Sequence, residues 1–235
     1  MGIRIRLALI GAVLSPACVH ADDVMIITHE LKPFVWSDPQ GHLHGTAYDT
    51  VASILVRLGD DAGAIKYYPF ARALRTVETR DNVAVFPVAR TSDREHSFKW
   101  VGPIATSGVY LYTRATNAVP LNGFDDAKAL KTIGVGNGNA SMRLLEKAGF
   151  TNLVPINDEE MLIRMLFSGR VEAAPVSESV MDSVIKDDHF DEKQLIKTTL
   201  KLYQSTLYLA FSLSTPDEVI IKWQAAFDAV RPQKE

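Results

Sequence analysis

NVAVFPVARTSDREHSFKWVGPI, residues 82–104, opens on the apolar run Val83-Ala84-Val85-Phe86. Unbroken apolar character, without alternation, is the pattern of a strand covered on both faces, as in a parallel sheet. Pro87 is expected to end the strand, because proline has no N–H to give to a ladder. The polar stretch Ala89-Arg90-Thr91-Ser92-Asp93-Arg94-Glu95 follows. If that turn is helical, Arg90 and Arg94 share one face. Phe98, Trp100, Val101 and Ile104 then return to apolar character. A strand whose carboxyl end delivers an arginine into a crevice suits a small anion, since the guanidinium fork grips a carboxylate through two parallel hydrogen bonds. The alternative is a surface Arg94 paired with Asp93 or Glu95, a contact of little energetic worth.

On the amino-terminal side, residues 24–28 read as a first strand. A helix over 46–58 places Val51, Ile54, Leu55 and Leu58 on one face, and Gly59 stops it. Residues 65–68 read as a second strand. Pro69, at a favourable first-turn position, opens a helix to about Arg80. This β-α-β-α-β order implies a parallel sheet with right-handed crossovers. On the carboxyl side, residues 109–113 are extended. Strands at 132–135, 152–155 and 172–175 then alternate with helices at 125–130, 140–148, 158–167 and 177–186. Residues 207–212 are extended again, and 216–230 form a last helix. Two α/β units joined by two extended segments make a two-lobed clamp the expected architecture.

The chain has 235 residues, 47% hydrophobic and 23% charged, which suits two small lobes or one large domain and argues against disorder. Residues 1–21 read as a signal peptide. Arg4 and Arg6 form a positive start, Leu7 to Leu14 a short apolar run, and Val19-His20-Ala21 a cleavage site. Cys18 is the only cysteine; Ser15-Pro16-Ala17 is a poor approach to a lipidated cysteine, so the mature chain is expected to begin near Asp22 without a thiol or disulfide. Arg4 and Arg6 leave with the leader and no acid does, which takes the net charge of −3 two units further negative. That balance argues against a nucleic-acid partner.

The stretch R-T-x-x-R-E followed by an aromatic and W-V-G-P-I resembles the family-3 extracellular solute-binding proteins. The resemblance extends over nearly all of the mature chain. It includes Glu30-Leu31-Lys32-Pro33-Phe34, Pro69-Phe70-Ala71-Arg72-Ala73-Leu74, Gly134-Val135-Gly136, Ser168-Gly169-Arg170-Val171-Glu172-Ala173 and Tyr208-Leu209-Ala210-Phe211. It implies an α/β, type II periplasmic binding fold, with one lobe from residues 22–109 and 206–235 and the other from 110–205. It implies a periplasmic, monomeric protein without cofactor. Its small-molecule ligand would be held between the lobes, and its partner would be an inner-membrane ABC permease or a sensor domain.

The resemblance also assigns site residues. Arg94 matches the arginine that holds a ligand carboxylate, while Arg90 supports the turn from outside. Phe70 matches an aromatic wall, although alone it reads as core rather than site. Phe86 and Ala89, at the strand end, are expected in the same crevice. Arg72 either enters the cleft or pairs with an acid such as Glu30. Glu30, at the carboxyl end of the first strand, either receives a cationic group or is a solvated loop acid. The glycine-rich turn 134–141 has Asn139 where a dinucleotide fingerprint needs its third glycine. It reads instead as a helix start, Asn139, Ala140 and Ser141, whose free N–H groups favour an anion. Ser177 stands where amino-acid-binding members carry the aspartate that receives the α-amine, and Glu178 beside it should point away.

No metal site is expected from His29, His42 and His44, which lack cysteine partners and suit solvated loops. An enzyme on the same scaffold, similar to cyclohexadienyl dehydratase with Glu30 or Glu178 as general acid, is the other reading.

Overall fold

The computed structural model describes residues 24–117, 121–187 and 189–231. The expected leader, with Cys18 and Ala21, lies outside them.

In chain order the strands are β1 (Met25–Thr28), β2 (Trp36–Ser37), β3 (Leu43–His44), β4 (Lys66–Tyr67), β5 (Val83–Ala89), β6 (Lys99–Arg114), β7 (Ile133–Gly136), β8 (Leu153–Ile156), β9 (Ala173–Ser177) and β10 (Leu195–Phe211). The helices are α1 (Thr46–Leu58), α2 (Phe70–Thr79), α3 (Phe124–Lys128), α4 (Ala140–Lys147), α5 (Glu159–Phe167), α6 (Glu178–Asp187) and α7 (Asp217–Val230).

Eight strands form one sheet in the order β4-β1-β5-β10-β6-β9-β7-β8. The parallel set β4-β1-β5 lies at one end and the parallel set β9-β7-β8 at the other. Between them run β10 and β6, antiparallel to each other and to the strands they join.

The apolar run at 83–88 is covered on both faces, as its composition requires. Val83, Val85 and Val88 pack with Ala73, Leu74 and Val77 of α2. Ala84 and Phe86 pack on the opposite side with α1 and α7, where Phe211 meets Trp223 edge-on at 5.3 Å. In the second set, Ile133, Val135 and Ala173 face Leu145 of α4, while Ala174 and Val176 face Leu162 and Leu166 of α5. Strands buried on both faces fix where the site must lie, since only their ends remain open.

Three expectations needed correction. β5 does not stop at Pro87 but runs to Ala89. Its ladder with β10 shifts register between Tyr208 and Ala210, so the missing N–H of Pro87 falls at a bulge. Residues 92–97 form turns rather than a helix, so Arg90 and Arg94 point to different surroundings. The two extended segments are parts of the far longer strands β6 and β10. The β2–β3 hairpin was not foreseen, because two-residue strands carry no periodicity. Asp38 at its turn accepts from His42 Nδ1 at 3.1 Å and His44 Nε2 at 3.2 Å, and His44 stacks on Trp36.

Candidate functional site

The carboxyl ends of β1 and β5 face those of β7 and β9 across a cavity of about 120 Å³. His29, Glu30, Pro87 and Ala89 come from the first set. Gly136, Asn137, Pro175 and Ser177 come from the second, with Asn139, Ala140 and Ser141 at the start of α4 and Glu159 at the start of α5. Ser107 and Val109 of β6 and Ser205 and Leu207 of β10 line it between them.

Arg94 dominates the electrostatics. It is 1% exposed. Its Nη1 donates to the Ala89 carbonyl at 3.3 Å and its Nη2 to the Gly138 carbonyl at 2.8 Å. Gly138 has φ 69°, a left-handed conformation that glycine adopts without strain. The Nε of Arg94 is buried without a hydrogen-bond partner. Burial, and then repulsion from Arg143, holds its pKa down at about 10. A guanidinium is nonetheless charged at neutral pH. A buried cation with an unmade hydrogen bond and only carbonyl acceptors calls for an anion. Arg90 lies outside, bonded to Glu95 through Nε and Nη2 and stacked over Trp100 and Tyr208.

Phe70 sits against His29 at 4.7 Å, and the Arg94 guanidinium carbon lies 5.7 Å from its ring centre. His29 is buried, and burial pushes its pKa down, so its ring is neutral at physiological pH. Its Nε2 lies 2.9 Å from the Pro87 carbonyl and its Nδ1 3.0 Å from the Glu30 carbonyl. A neutral imidazole has one N–H and donates to only one of them.

At the start of α4, Asn139 accepts from the Met142 amide at 2.8 Å, which caps the helix. The first-turn amides of Ala140 and Ser141 have no intrahelical acceptor. Ser141 Oγ pairs with the Tyr203 hydroxyl at 2.9 Å. Ser177 Oγ accepts from the Val180 amide at 3.3 Å. Glu178 does point away, to Lys197 at 2.7 Å on the outer surface. Glu30 accepts from the Tyr67 hydroxyl, and burial raises its pKa.

Eight of the ten residues expected in the site line the cavity: Glu30, Phe70, Ala89, Arg94, Asn139, Ala140, Ser141 and Ser177. The other two stand apart from it. Phe86 points into the core, because the pleat that turns Pro87 and Ala89 to the cavity turns Phe86 away. Arg72 is exposed and stacks on Tyr68 at 4.1 Å, since α2 buries its Ala73–Leu74–Val77 side. Neither alternative for Arg72, entry to the cleft or an ion pair with Glu30, describes its position. Sequence reasoning missed His29, Asn157 and Glu159 as lining residues. The available signal was position: His29 closes β1, and Glu159 follows the helix cap Asp158, which accepts from the Met161 amide at 2.6 Å.

No protein-family model matches the chain, and no curated protein matches it. Among solved structures, a histidine kinase sensor domain described as similar to periplasmic binding proteins superposes with a TM-score of 0.77 at 12% identity, covering 90% of this chain and 91% of that one. The arginine-bound form of truncated ArgBP from T. maritima gives 0.73 at 15% identity, over 88% of this chain and 96% of its own. The arginine-, lysine-, histidine-binding protein ArtJ from Geobacillus stearothermophilus gives 0.69 at 17%, over 88% and 89%. Among the described residues no helix is long and apolar enough to cross a membrane. With the sheet, the facing strand ends and these neighbours together, the chain has the two-lobed fold of the periplasmic binding proteins, the fold that its resemblance to the family-3 solute-binding proteins implies.

Proposed function

We propose that the protein is a periplasmic receptor that closes two lobes, residues 22–109 with 206–235 and residues 110–205, on a small carboxylate-bearing solute, either amino-acid-like or an organic acid. It would present the closed form to an ABC permease or a sensor domain. The observation that carries this reading is Arg94: a guanidinium buried in the cavity, bonded to carbonyls and to no carboxylate among the described residues, with Nε unpartnered. The α4 amides of Ala140 and Ser141 would receive the second edge of the same anion. Phe70 would stack on the solute body. The cavity volume favours a compact solute over a long peptide. Support for a binding role comes from neighbours whose own names include arginine binding and a sensor domain.

An enzyme is favoured by one observation: Glu159 faces the cavity with its pKa raised to about 7, the range of a general acid. Turnover of prephenate or arogenate tests that reading, and product formation would establish it. The receptor reading is tested by native mass spectrometry of the protein purified from the periplasm. A stoichiometric small acid retained by the wild type and lost from Arg94→Ala is the expected result.

A further inference from the structure

The acids around the cleft are nearly all engaged. Glu30 holds the Tyr67 hydroxyl. Asp93 pairs with Arg143 at 3.5 Å. Glu160 pairs with Lys32 and Arg164, and Asp187 with Lys32. Asp158 caps α5. Glu159 lines the cavity and is partly buried, yet it makes no hydrogen bond and no ion pair among the described residues. Gly136 provides the room for it: a Cβ there would lie 2.5 Å from Asn139 Nδ2 and 3.2 Å from Glu159 Oε2. Among the described residues the cavity thus holds one cation without an ion-pair partner, Arg94, and one unpaired carboxyl group, Glu159.

We infer that Glu159 receives the positively charged group of the solute, in the role that Ser177 cannot fill, so that the ligand is a small zwitterion with its carboxylate on Arg94 and its ammonium or guanidinium on Glu159. This rests on the receptor reading above. A cation buried in a closed cleft needs a carboxylate partner, and Ser177 offers only a neutral oxygen. A solute carrying both charges satisfies both unpaired groups in one event; a simple carboxylic acid leaves Glu159 desolvated and unmatched.

The assignment has a pH signature. Burial, followed by repulsion from Asp158, raises the Glu159 carboxyl to about 7. Tyr203 from β10 feels both Glu159 and Arg94, and Glu30 and His29 from the end of β1 line the same cavity. A cationic ligand group binds the ionised carboxylate, so affinity is full above pH 7 and falls as pH drops below it. A carboxylate contact to protonated Glu159 would have the opposite slope.

The test is calorimetry and thermal shift with the twenty L-amino acids, their deaminated 2-oxo acids, succinate and citrate, on wild type, Glu159→Gln and Arg94→Ala, at pH 8 and pH 6. The expected result is binding of at least one amino acid, weakened roughly thirty-fold or more by Glu159→Gln. Wild-type affinity should fall about tenfold from pH 8 to pH 6, and the Gln variant should be flat over that range. Circular dichroism of the Gln variant at both pH values checks that it is folded. Binding that Arg94→Ala abolishes but Glu159→Gln leaves unchanged, or acids without a cationic group binding as well as amino acids, overturns the Glu159 assignment alone. Binding by no member of the panel overturns the Arg94 reading as well.

Discussion

The Arg94 guanidinium, from the turn after β5, donates to the carbonyl of Gly138, in the turn before α4, at 2.8 Å. This hydrogen bond crosses the cavity between the two parallel strand sets. Two ion-pair groups cross beside it: Lys32 to Glu160 at 3.7 Å and Asp187 at 3.5 Å, and Arg143 to Asp93 at 3.5 Å. The same arginine proposed to hold the solute therefore also ties the two sides together, so on the proposed reading binding and closure share one residue.

The flanking ion pairs are partly exposed, and such pairs are worth little individually. Replacing Lys32 and Arg143 together with alanine should weaken solute binding several-fold at low ionic strength, about as two such pairs allow. The deficit should shrink in 0.5 M salt, where screening already removes them. An affinity unchanged at low salt would exclude a role for these pairs in closure.

Glu159 gives a pH-dependent stability of the empty protein. Its carboxyl titrates at about 7 when folded, above the ordinary value of 4.5. Between those values the folded chain keeps a proton that the unfolded chain has lost, so stability falls as pH rises through the window. Glu159→Gln should therefore stabilise the ligand-free protein by about 1–3 kcal/mol at pH 8 and by nothing at pH 4. Urea melts of both proteins at the two pH values measure this. An equal effect at both would mean that the carboxyl is not the cause.

Trp223 is 3% exposed and meets Phe211 of β10 edge-on, which fastens α7 to the sheet. Trp223→Ala should cost about 3–5 kcal/mol of unfolding free energy. Solute affinity, measured well below the lowered Tm, should not change, since no atom of Trp223 lines the cavity.

Much of this was legible in the sequence because burial on both faces leaves a strong mark. Val83–Ala84–Val85–Phe86 could only be a covered strand, and the alternation of strands and helices placed its end at a crevice. Arg94 and Asn139 to Ser141 followed from their places at such ends, and Ser177 from the resemblance to the solute-binding family. What stayed hidden depended on register and orientation. β5 passes Pro87 because its ladder with β10 takes up an extra β5 residue there, three steps along β5 (Val88 to Val85) against two along β10 (Tyr208 to Ala210), and the partner strand that makes this possible lies some 120 residues later. The pleat removes Phe86 from the cavity, and the buried side of α2 removes Arg72. Glu159 is an acid in the first turn of α5, a place that by itself marks no site; only the fold turns it into the cavity beside Gly136.

Phe70 should contribute as a stacking wall. Phe70→Ala should reduce affinity about two- to tenfold, the worth of an aromatic contact beyond its area. Phe70→Tyr should bind nearly as wild type. A loss as large as that of Arg94→Ala would mean that Phe70 positions the guanidinium rather than the solute.

The most direct measurement is a calorimetric titration of the co-purifying solute, identified by native mass spectrometry, into wild type, Arg94→Ala and Arg94→Lys. Removing one member of a desolvated, hydrogen-bonded charge pair costs about 2–5 kcal/mol. Arg94→Ala should therefore weaken binding between roughly thirty-fold and a few thousand-fold. Arg94→Lys should recover only part of that, because a point charge cannot replace the two-pronged grip. Wild-type affinity in Arg94→Ala, with the protein folded, would contradict the account at its centre.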